Sequence, residues 1–288
     1  MAPKKHKHSF TIARRIVQFA ALLLFVAPLL VVGYGLFGQT SGLEKIPQTA
    51  AELPFFGSIS SSTILGLVLL DPFAALQSAA AAKDFTTGTI IGILPIVIFY
   101  GIVRGRAFCG WVCPVNLLLE FVDFLRDKLG IKVAERSVPR HAKLWIALAV
   151  LVLSAITSTL VFELVNPISA INKGILFGSF TGLISLVAIV IIELFLARRL
   201  WCRALCPLGG FYEALGTVGL FSVKMDLDSC THCGHCEAVC LADPEILQPA
   251  LDGSKNRVVA GDCMLCGECV DVCPTRALSI GPASPFPK

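Results

Sequence analysis

The chain reads Cys230-Thr-His-Cys233-Gly-His-Cys236-Glu-Ala-Val-Cys240 and, further on, Cys263-Met-Leu-Cys266-Gly-Glu-Cys269-Val-Asp-Val-Cys273-Pro274. Each stretch has three cysteines separated by two residues and a fourth cysteine after three more. Iron–sulfur cubanes take four thiolate ligands, and in two-cluster ferredoxins the fourth cysteine of each run binds the other cluster. The spacing therefore predicts an α+β domain of the bacterial two-cluster ferredoxin type at residues 222–288.

This crossover rule assigns the ligands of two [4Fe–4S] clusters. The first cluster takes Cys230, Cys233, Cys236 and Cys273, and the second takes Cys263, Cys266, Cys269 and Cys240. The first run ends in Leu241 where the second has Pro274, which weakens that pattern without removing a ligand. Two zinc knuckles are the alternative, although zinc sites rarely repeat three evenly spaced cysteines twice.

A different cysteine pattern also occurs twice, as Phe-Cys109-Gly-Trp-Val-Cys113-Pro and Trp-Cys202-Arg-Ala-Leu-Cys206-Pro. Each cysteine of the second copy lies the same number of residues after its counterpart in the first copy, and Glu213 follows Glu120 by that same number. An Asx-Pro dipeptide precedes each copy, at residues 71–72 and 166–167. The two copies run in the same sense along the chain, which indicates a parallel internal repeat.

Three interpretations of Cys109, Cys113, Cys202 and Cys206 stay open: a third metal or Fe–S site, a pair of redox dithiols, or buried structural cysteines. Side chains four residues apart share one face of a helix, so the repeat can bring four thiols together near its pseudo-two-fold axis. Cations near a thiol favour the thiolate, so we expect lowered pKa values here. The flanking cations are Arg104, Arg106, Arg198, Arg199 and Arg203.

Composition indicates a chain that is unusually apolar. Of its 288 residues 55% are hydrophobic and 15% are charged, against about 25% charged in a typical soluble domain. Its mean hydropathy is +0.78. Twelve cysteines in a long chain favour metal or redox binding over a disulfide scaffold, which is typical of short secreted proteins.

Apolar runs of about 20 residues are long enough to cross a bilayer as helices. The four such runs are residues 16–37, 85–103, 144–162 and 175–197. We therefore predict an α-helical membrane protein with four transmembrane helices, comprising a basic N-terminal tail at 1–15 and a membrane domain at 16–221. Lysine and arginine concentrate in the tail, in residues 104–143 and after the fourth run. The positive-inside rule then places both termini in the cytoplasm, in a multi-pass protein of the bacterial inner membrane.

Three ionisable side chains outside the cysteine motifs are candidates for proton handling. His141 is either a hydrogen-bond partner for quinol or a plain helix start. Asp71 and Glu163 either handle protons or are ordinary loop residues.

The whole pattern resembles the NapH family, the ferredoxin-type membrane component of the periplasmic nitrate reductase system. The resemblance rests on the predicted spans, the two ferredoxin motifs and a set of shorter motifs. These are Phe108-Cys109-x-Trp111-Val112-Cys113-Pro114-x-Asn116, Pro139-Arg140-His141, Asn166-Pro167 and Trp201-Cys202-x3-Cys206-Pro207-x-Gly209.

This resemblance implies a non-autonomous electron-transfer subunit of a quinol dehydrogenase. Electrons from the quinol pool would pass through two [4Fe–4S] clusters and, with a periplasmic ferredoxin-type partner like NapG, reach nitrate reductase. The alternative is an assembly, maturation or electron-delivery factor for another enzyme, like MauN or CcoG. We expect no nucleic-acid partner.

Overall fold

The computed structural model describes residues 9–36, 55–57, 61–64, 67–131, 133, 139–171 and 182–282. Side chains are described throughout these ranges except at 25–36, 55–57, 64, 67 and 183. The chain divides into two compact units. The first comprises Met1–Gln18, Val97–Ala147 and Glu193–Lys288, and the second comprises Phe19–Ile96 and Leu148–Ile192.

Four helices account for most of the apolar sequence. They are α1 (Ser9–Leu36), α3 (Thr87–Val103), α6 (Ala142–Thr157) and α7 (Leu183–Phe195). Many of their large apolar side chains are exposed, as at Ile91, Ile156 and Ile184. The apolar character of these runs is therefore only partly used for packing inside the protein.

The predicted four-span membrane domain is wrong, because no helix in the described part of the chain is both long enough and apolar enough to cross a membrane. A crossing helix needs about 20 residues, whereas α3, α6 and α7 have 17, 16 and 13. Helix α1 has 28 residues, and its side chains are described only as far as Leu24. The predicted multi-pass location in the inner membrane is therefore wrong as well, and so is the assignment of both termini to the cytoplasm, because both were inferred from the predicted spans.

The second unit contains a small sheet followed by a capped helix. Strands β1 (Phe55–Gly57), β2 (Ser61–Ile64) and β3 (Leu67–Leu70) form an antiparallel sheet in that order. Helix α2 (Pro72–Ala82) follows, with proline in its first turn. The carboxylate of Asp71 accepts a hydrogen bond from the N–H of Phe73 at 2.9 Å, which caps the helix.

In the first unit, each Cys-x3-Cys-Pro motif forms a short helical segment that leads into a longer helix. Helix α4 (Ala107–Trp111) precedes α5 (Pro114–Leu129), and a π-helical turn (Trp201–Leu205) precedes α8 (Pro207–Gly216). Each longer helix begins with proline, whose missing N–H costs nothing at that position. The structure thus repeats the sequence pattern as two short turns that each lead into a new helix.

The C-terminal part of the first unit has the predicted α+β arrangement. Strands β4 (Phe221–Met225) and β5 (Leu278–Pro282) pair antiparallel, from Phe221 opposite Pro282 to Met225 opposite Leu278. The segments between the strands are short helices: α9 (His235–Ala238), a 3₁₀ turn (Pro244–Leu247), α10 (Gln248–Leu251) and α11 (Glu268–Val272). The hairpin therefore brackets both ferredoxin motifs.

Candidate functional site

The two ferredoxin motifs fold into the same loop. In each, a residue with positive φ, His232 (50°) or Leu265 (48°), is followed two positions later by a glycine with positive φ. Gly234 (74°) and Gly267 (78°) then lead into α9 and α11. Successive N–H groups in such left-handed turns form concavities that bind anions, including Fe–S sites. Both loops therefore have a backbone form that suits a cluster.

One set of four cysteines lines a single cavity of about 340 Å³, part of which is open to solvent. Its cysteines are Cys230, Cys233, Cys236 and Cys273, the set that the crossover rule groups. Cys233 is exposed and Cys236 is buried. The backbone N–H of His235 and then its imidazole hydrogen-bond to Cys233, which lowers the pKa of this thiol to about 7. The thiolate, the form that binds metal, is therefore accessible near neutral pH.

The other four ferredoxin cysteines are also neighbours of one another, but they are more enclosed. Burial, followed by the neighbouring thiols Cys266 and Cys263, raises the pKa of Cys240 to about 12. Burial and then Cys266, Cys263 and Cys240 raise the pKa of Cys269. The structure thus brings together the second predicted set. That these eight residues bind two clusters stays a prediction.

The first turn of α1 covers the second motif. The carboxylate of Asp271 accepts hydrogen bonds from the N–H groups of Phe10 (3.3 Å) and Thr11 (2.9 Å) and from the Thr11 hydroxyl (2.9 Å). The fully buried Arg14 contacts Glu268 at 2.6 Å. Negative charge is favourable at a helix N-terminus, so the motif caps a helix that lies far away in sequence.

Within the described ranges, no three histidine, cysteine, aspartate or glutamate side chains converge closely enough to hold one metal ion together. A cubane has a different requirement, because each of its four cysteines binds a separate iron. The cavity, the paired loops and the grouping of thiols all suit a cluster.

The four remaining cysteines, which we call the central cysteines, also meet. Cys109 lies in α4 and Cys202 in the π-helical turn, while Cys113 and Cys206 occupy the N-cap positions of α5 and α8. Cys113 interacts electrostatically with Cys109 and Cys206, and Cys202 interacts with Cys206 and Cys113. Cys206 accepts a hydrogen bond from the N–H of Gly209 at 3.4 Å. The internal repeat therefore brings its two cysteine pairs into one group.

The expected lowering of the pKa of the central thiols is wrong. Burial is the largest effect at all four thiols, and it raises the pKa of Cys206 to about 12 and raises the other three as well. Arg106 opposes this at Cys109, through its charge and a hydrogen bond, but does not outweigh burial. Desolvation therefore decides the protonation state here.

Most of the flanking arginines are engaged elsewhere. Arg104 donates to the carbonyl oxygens of residues 221 and 258–260, Arg198 to that of Ala238, and Arg203 to the carboxylate of Asp243. Arg199 binds Asp123 and also lies near Cys202. The sequence places five cations beside the cysteines, whereas the structure directs most of them to other partners.

A direct contact joins the central cysteines to the second ferredoxin loop. A Cβ on Gly110, next to Cys109, would lie 2.8 Å from the carbonyl oxygen of Met264. The indole N–H of Trp111 donates to the carbonyl oxygen of Leu265 at 3.0 Å. Only glycine permits this close approach, so the packing of α4 on the loop requires glycine at position 110.

A buried ionic group that the sequence reasoning missed lies beside the same loop. Arg106 contacts the carboxylate of Asp262 at 3.2 Å, Arg140 contacts it at 3.2 Å, and Lys143 also binds it. Burial opposes ionisation, but Arg106 and then Lys143 hold the pKa of Asp262 below its ordinary value. The one signal in the sequence was the position of Asp262 directly before Cys263.

The three proton-handling candidates lie in different settings. The imidazole of His141 is mostly exposed and contacts Glu213 at 2.8 Å. In the second unit, burial raises the pKa of Asp71 to about 6, and Asp71 interacts electrostatically with Glu163. Glu163 accepts a hydrogen bond from the amide of Asn166 at 2.9 Å.

Two protein-family models match the chain. A model described as a 4Fe-4S binding domain matches residues 85–132 and again 179–226, the two segments that contain the central cysteines. A model described as a 4Fe-4S dicluster domain matches residues 222–274. The chain therefore contains ferredoxin-type 4Fe-4S domains.

Curated relatives match over most of the chain. The methylamine utilization ferredoxin-type protein MauN of Methylorubrum extorquens is 35% identical over 95% of this chain and 89% of its own length. The ferredoxin-type protein NapH of Escherichia coli is 32% identical over the same shares, and NapH of Haemophilus influenzae is 35% identical over 76% of this chain and 78% of its own length. No solved structure matches the chain.

We predict that Arg14→Gln destabilises the first unit by about 3 kcal/mol, because it removes the buried cation that two largely buried carboxylates share. These are Glu120, 2.7 Å from Arg14, and Glu268. The free energy of unfolding in urea measures the effect. Arg15→Gln is the matched control: Arg15 is 57% exposed and contacts the same Glu120 at 3.5 Å, so its loss should cost less than about 1 kcal/mol. Equal effects of the two changes would contradict the role given to Arg14.

Proposed function

Because the chain belongs to the family of ferredoxin-type electron-transfer proteins that includes NapH and MauN, we propose that it takes electrons from a quinol and passes them toward periplasmic nitrate reductase. The observation that carries this proposal is the arrangement of all twelve cysteines of the first unit in three groups of four. A bound [4Fe–4S] cluster supplies one-electron transfer. The residues of this chain supply the ligands, the surrounding charge and the exclusion of water.

Two clusters fit the two ferredoxin groups. The cavity supports one cluster held by Cys230, Cys233, Cys236 and Cys273. The mutual proximity of Cys240, Cys263, Cys266 and Cys269 supports a second. The left-handed positions in each motif support this fit, because such turns form backbone concavities that bind anions, including Fe–S clusters.

A third site fits the central cysteines. Four thiols grouped in the protein interior suit a cluster, in which each cysteine binds a separate iron, and a 4Fe-4S family model matches both segments that contribute them. Arg106 and Lys143 provide nearby positive charge that partly offsets the effect of burial on the thiolate of Cys109. The contact between Gly110 and Met264 supports a position for this proposed site beside the second ferredoxin group.

The partners that we propose are a quinol donor and a periplasmic ferredoxin-type acceptor like NapG. The NapH relatives support the nitrate reductase system. The MauN relative supports a second candidate, an electron-delivery or maturation role in methylamine utilization, because its match covers the same share of the chain at slightly higher identity. The two candidates share the cysteine sites and differ in the enzyme that is served.

The ligand assignment predicts how iron is lost from single variants. Cys273→Ser should remove the cluster of the first motif, and Cys240→Ser that of the second, although each residue follows the other motif's cysteines in sequence. Each change should release about four iron and four sulfide ions and abolish one EPR signal of the reduced protein, because a cubane needs four thiolates. Anaerobic iron and sulfide analysis with EPR makes the measurement. Stoichiometric zinc, or a Cys240→Ser variant that loses the signal of the first group, would contradict the assignment.

The central site predicts that Cys109→Ser combined with Cys202→Ser lowers the metal content without disturbing the ferredoxin clusters. One ligand is lost from each pair, and a soft metal binds a hydroxyl oxygen poorly. Ser185→Ala, a change of similar size outside the cysteine motifs, is the control, and this variant should keep its full metal content through the same preparation. If the double variant keeps its full iron content, its EPR signals and its quinol-linked activity, the central cysteines are structural.

The pathway predicts that deleting the gene slows quinol-dependent nitrate reduction while artificial dyes still drive the reductase. Dyes deliver electrons directly to the enzyme and bypass the deleted carrier. Nitrate consumption by cells, with each donor in turn, measures both activities. An equal fall in dye-driven activity favours a maturation role, and loss of growth on methylamine with normal nitrate reduction favours the second candidate.

A further inference from the structure

Glu213, in α8, belongs to a line of ionic contacts that begins at the protein surface. Its Oε1 atom lies 2.8 Å from the Nδ1 atom of His141, and its Oε2 atom lies 3.2 Å from the Nζ atom of Lys143. The side chain of His141 is 59% exposed, whereas those of Glu213 and Lys143 are 4% and 1% exposed. The carboxyl group of Glu213 therefore contacts a solvent-facing imidazole on one side and a buried ammonium on the other.

The line continues from Lys143 toward the central cysteines. The ammonium of Lys143 also binds the carboxylate of Asp262, and its charge favours the thiolate of Cys109. One buried cation thus interacts both with Glu213 and with the central cysteines. Because of this sharing, negative charge added at the cysteines competes with the carboxylate of Glu213 for the same cation.

Glu213 is a carboxyl group whose ionised form is disfavoured by its surroundings. Burial raises the pKa of Glu213 above its ordinary value, and the charge of Asp262 raises it further. Lys143 and then His141 oppose this shift. The groups that interact with Glu213 are therefore His141 and Lys143 from the start of α6 and Asp262, to which Arg106 and Arg140 also bind. Additional negative charge nearby favours the protonated carboxyl still more.

The internal repeat provides a comparison for this glutamate. Glu120 occupies the equivalent position in the other copy, and its Oε1 atom lies 2.7 Å from the guanidinium of Arg14. An arginine keeps its charge throughout the accessible pH range, so the partner of Glu120 is a permanent cation. Glu213 has instead an imidazole and an ammonium as partners, and both can give up a proton. The two copies thus hold the same residue with different capacities for proton exchange.

We propose that Glu213 is a proton-exchange site coupled to electron transfer at the central cysteines, and that His141 passes protons between this site and solvent. The proposal rests on the proposed function, because it requires an electron carrier at those cysteines, and it adds the place where protons enter. When the carrier gains one electron, the carboxylate of Glu213 gains one proton from water by way of the imidazole. When the electron leaves, the proton returns to water by the same route.

The side chains suit these roles. An imidazole gains and loses protons near neutral pH, so it can pass them between water and a buried carboxyl group. The charge on Lys143 transmits the change at the cysteines to Glu213, because it interacts with both. Oxidation of a quinol releases protons together with electrons, so a proton site beside the carrier matches the proposed donor.

The pH dependence of the reduction potential tests the coupling. An electrode supplies electrons to the full-length protein, and EPR follows the signal that is lost in the Cys109→Ser, Cys202→Ser double variant. The equilibrium constant for reduction should fall about tenfold for each unit rise in pH, because one proton accompanies each electron. For a one-electron couple this is a fall of about 59 mV. The slope should extend between the pKa values that Glu213 has before and after reduction.

Two variants with the same chemical change locate the proton. Glu213→Gln should abolish the pH dependence, because an amide does not take up the proton, while its oxygen can still accept a hydrogen bond from His141. Glu120→Gln is the matched control, at the equivalent position of the repeat, and should keep the slope. Infrared difference spectra between the reduced and oxidised protein give a second measurement. A band of a protonated carboxyl group should appear on reduction in the wild type and the control and be absent in Glu213→Gln.

A third variant, His141→Ala, separates the route from the site. It retains Glu213, so the slope of potential against pH should remain. The carboxyl band should appear at least about tenfold more slowly after a potential step, because a positioned proton carrier has been removed. Free imidazole in the buffer should restore part of the rate, which it would not do for a purely structural defect.

The outcomes separate this proposal from the proposed function. A potential that ignores pH, or a slope that survives Glu213→Gln, overturns the proton site even when EPR shows every cluster. A His141→Ala variant as fast as the wild type overturns the role given to His141. A pH-dependent signal that the electrode reduces and quinol does not overturns the proposed function and leaves the proton site in place.

Discussion

The buried carboxylate of Asp262 is the interaction on which the first unit depends. Its three cations come from separate places: Arg106 from the turn before α4, Arg140 from the turn before α6, and Lys143 from the first turn of α6. Burying a charge costs several kcal/mol unless opposite charges and hydrogen bonds surround it. These segments therefore have to meet at the residue directly before Cys263. Arg106 also donates to the carbonyl oxygen of Cys202 at 2.8 Å, so one cation contacts both the ferredoxin loop and the second copy of the repeat.

Local chemistry explains what could be predicted. The spacing of the eight ferredoxin cysteines is set by the size of a cubane, and the structure groups the same residues that the crossover rule groups. The repeated Cys-x3-Cys-Pro pattern recurs in the structure as a repeated local fold, in which α5 and α8 begin at Pro114 and Pro207. Each of these patterns lies in a short stretch of sequence, so it can be recognised without knowledge of the tertiary fold.

Features that depend on distant residues could not be predicted. Hydropathy defines an apolar run but not where its backbone turns: the run at 144–162 contains a helix that ends at Thr157, and Ser158 has a positive φ of 52°. The charges near the central cysteines predicted lowered pKa values, yet the sequence does not show that the thiols are buried or that Arg104 and Arg203 bind elsewhere. Nothing near Asp271 or near Thr11 indicates that the two residues meet.

The hydrogen bonds between Asp271 and the first turn of α1 join residues about 260 positions apart. During synthesis the first turn of α1 leaves the ribosome long before the carboxylate that caps it is added, because 260 positions separate Thr11 from Asp271. Contacts with so large a separation in sequence form late, because the intervening chain must first be ordered. The start of α1 therefore stays uncapped until Asp271 has been added, and the second cysteine loop stays uncovered from its own synthesis until α1 docks on it. Any factor that inserts iron at that loop has this interval in which to reach it.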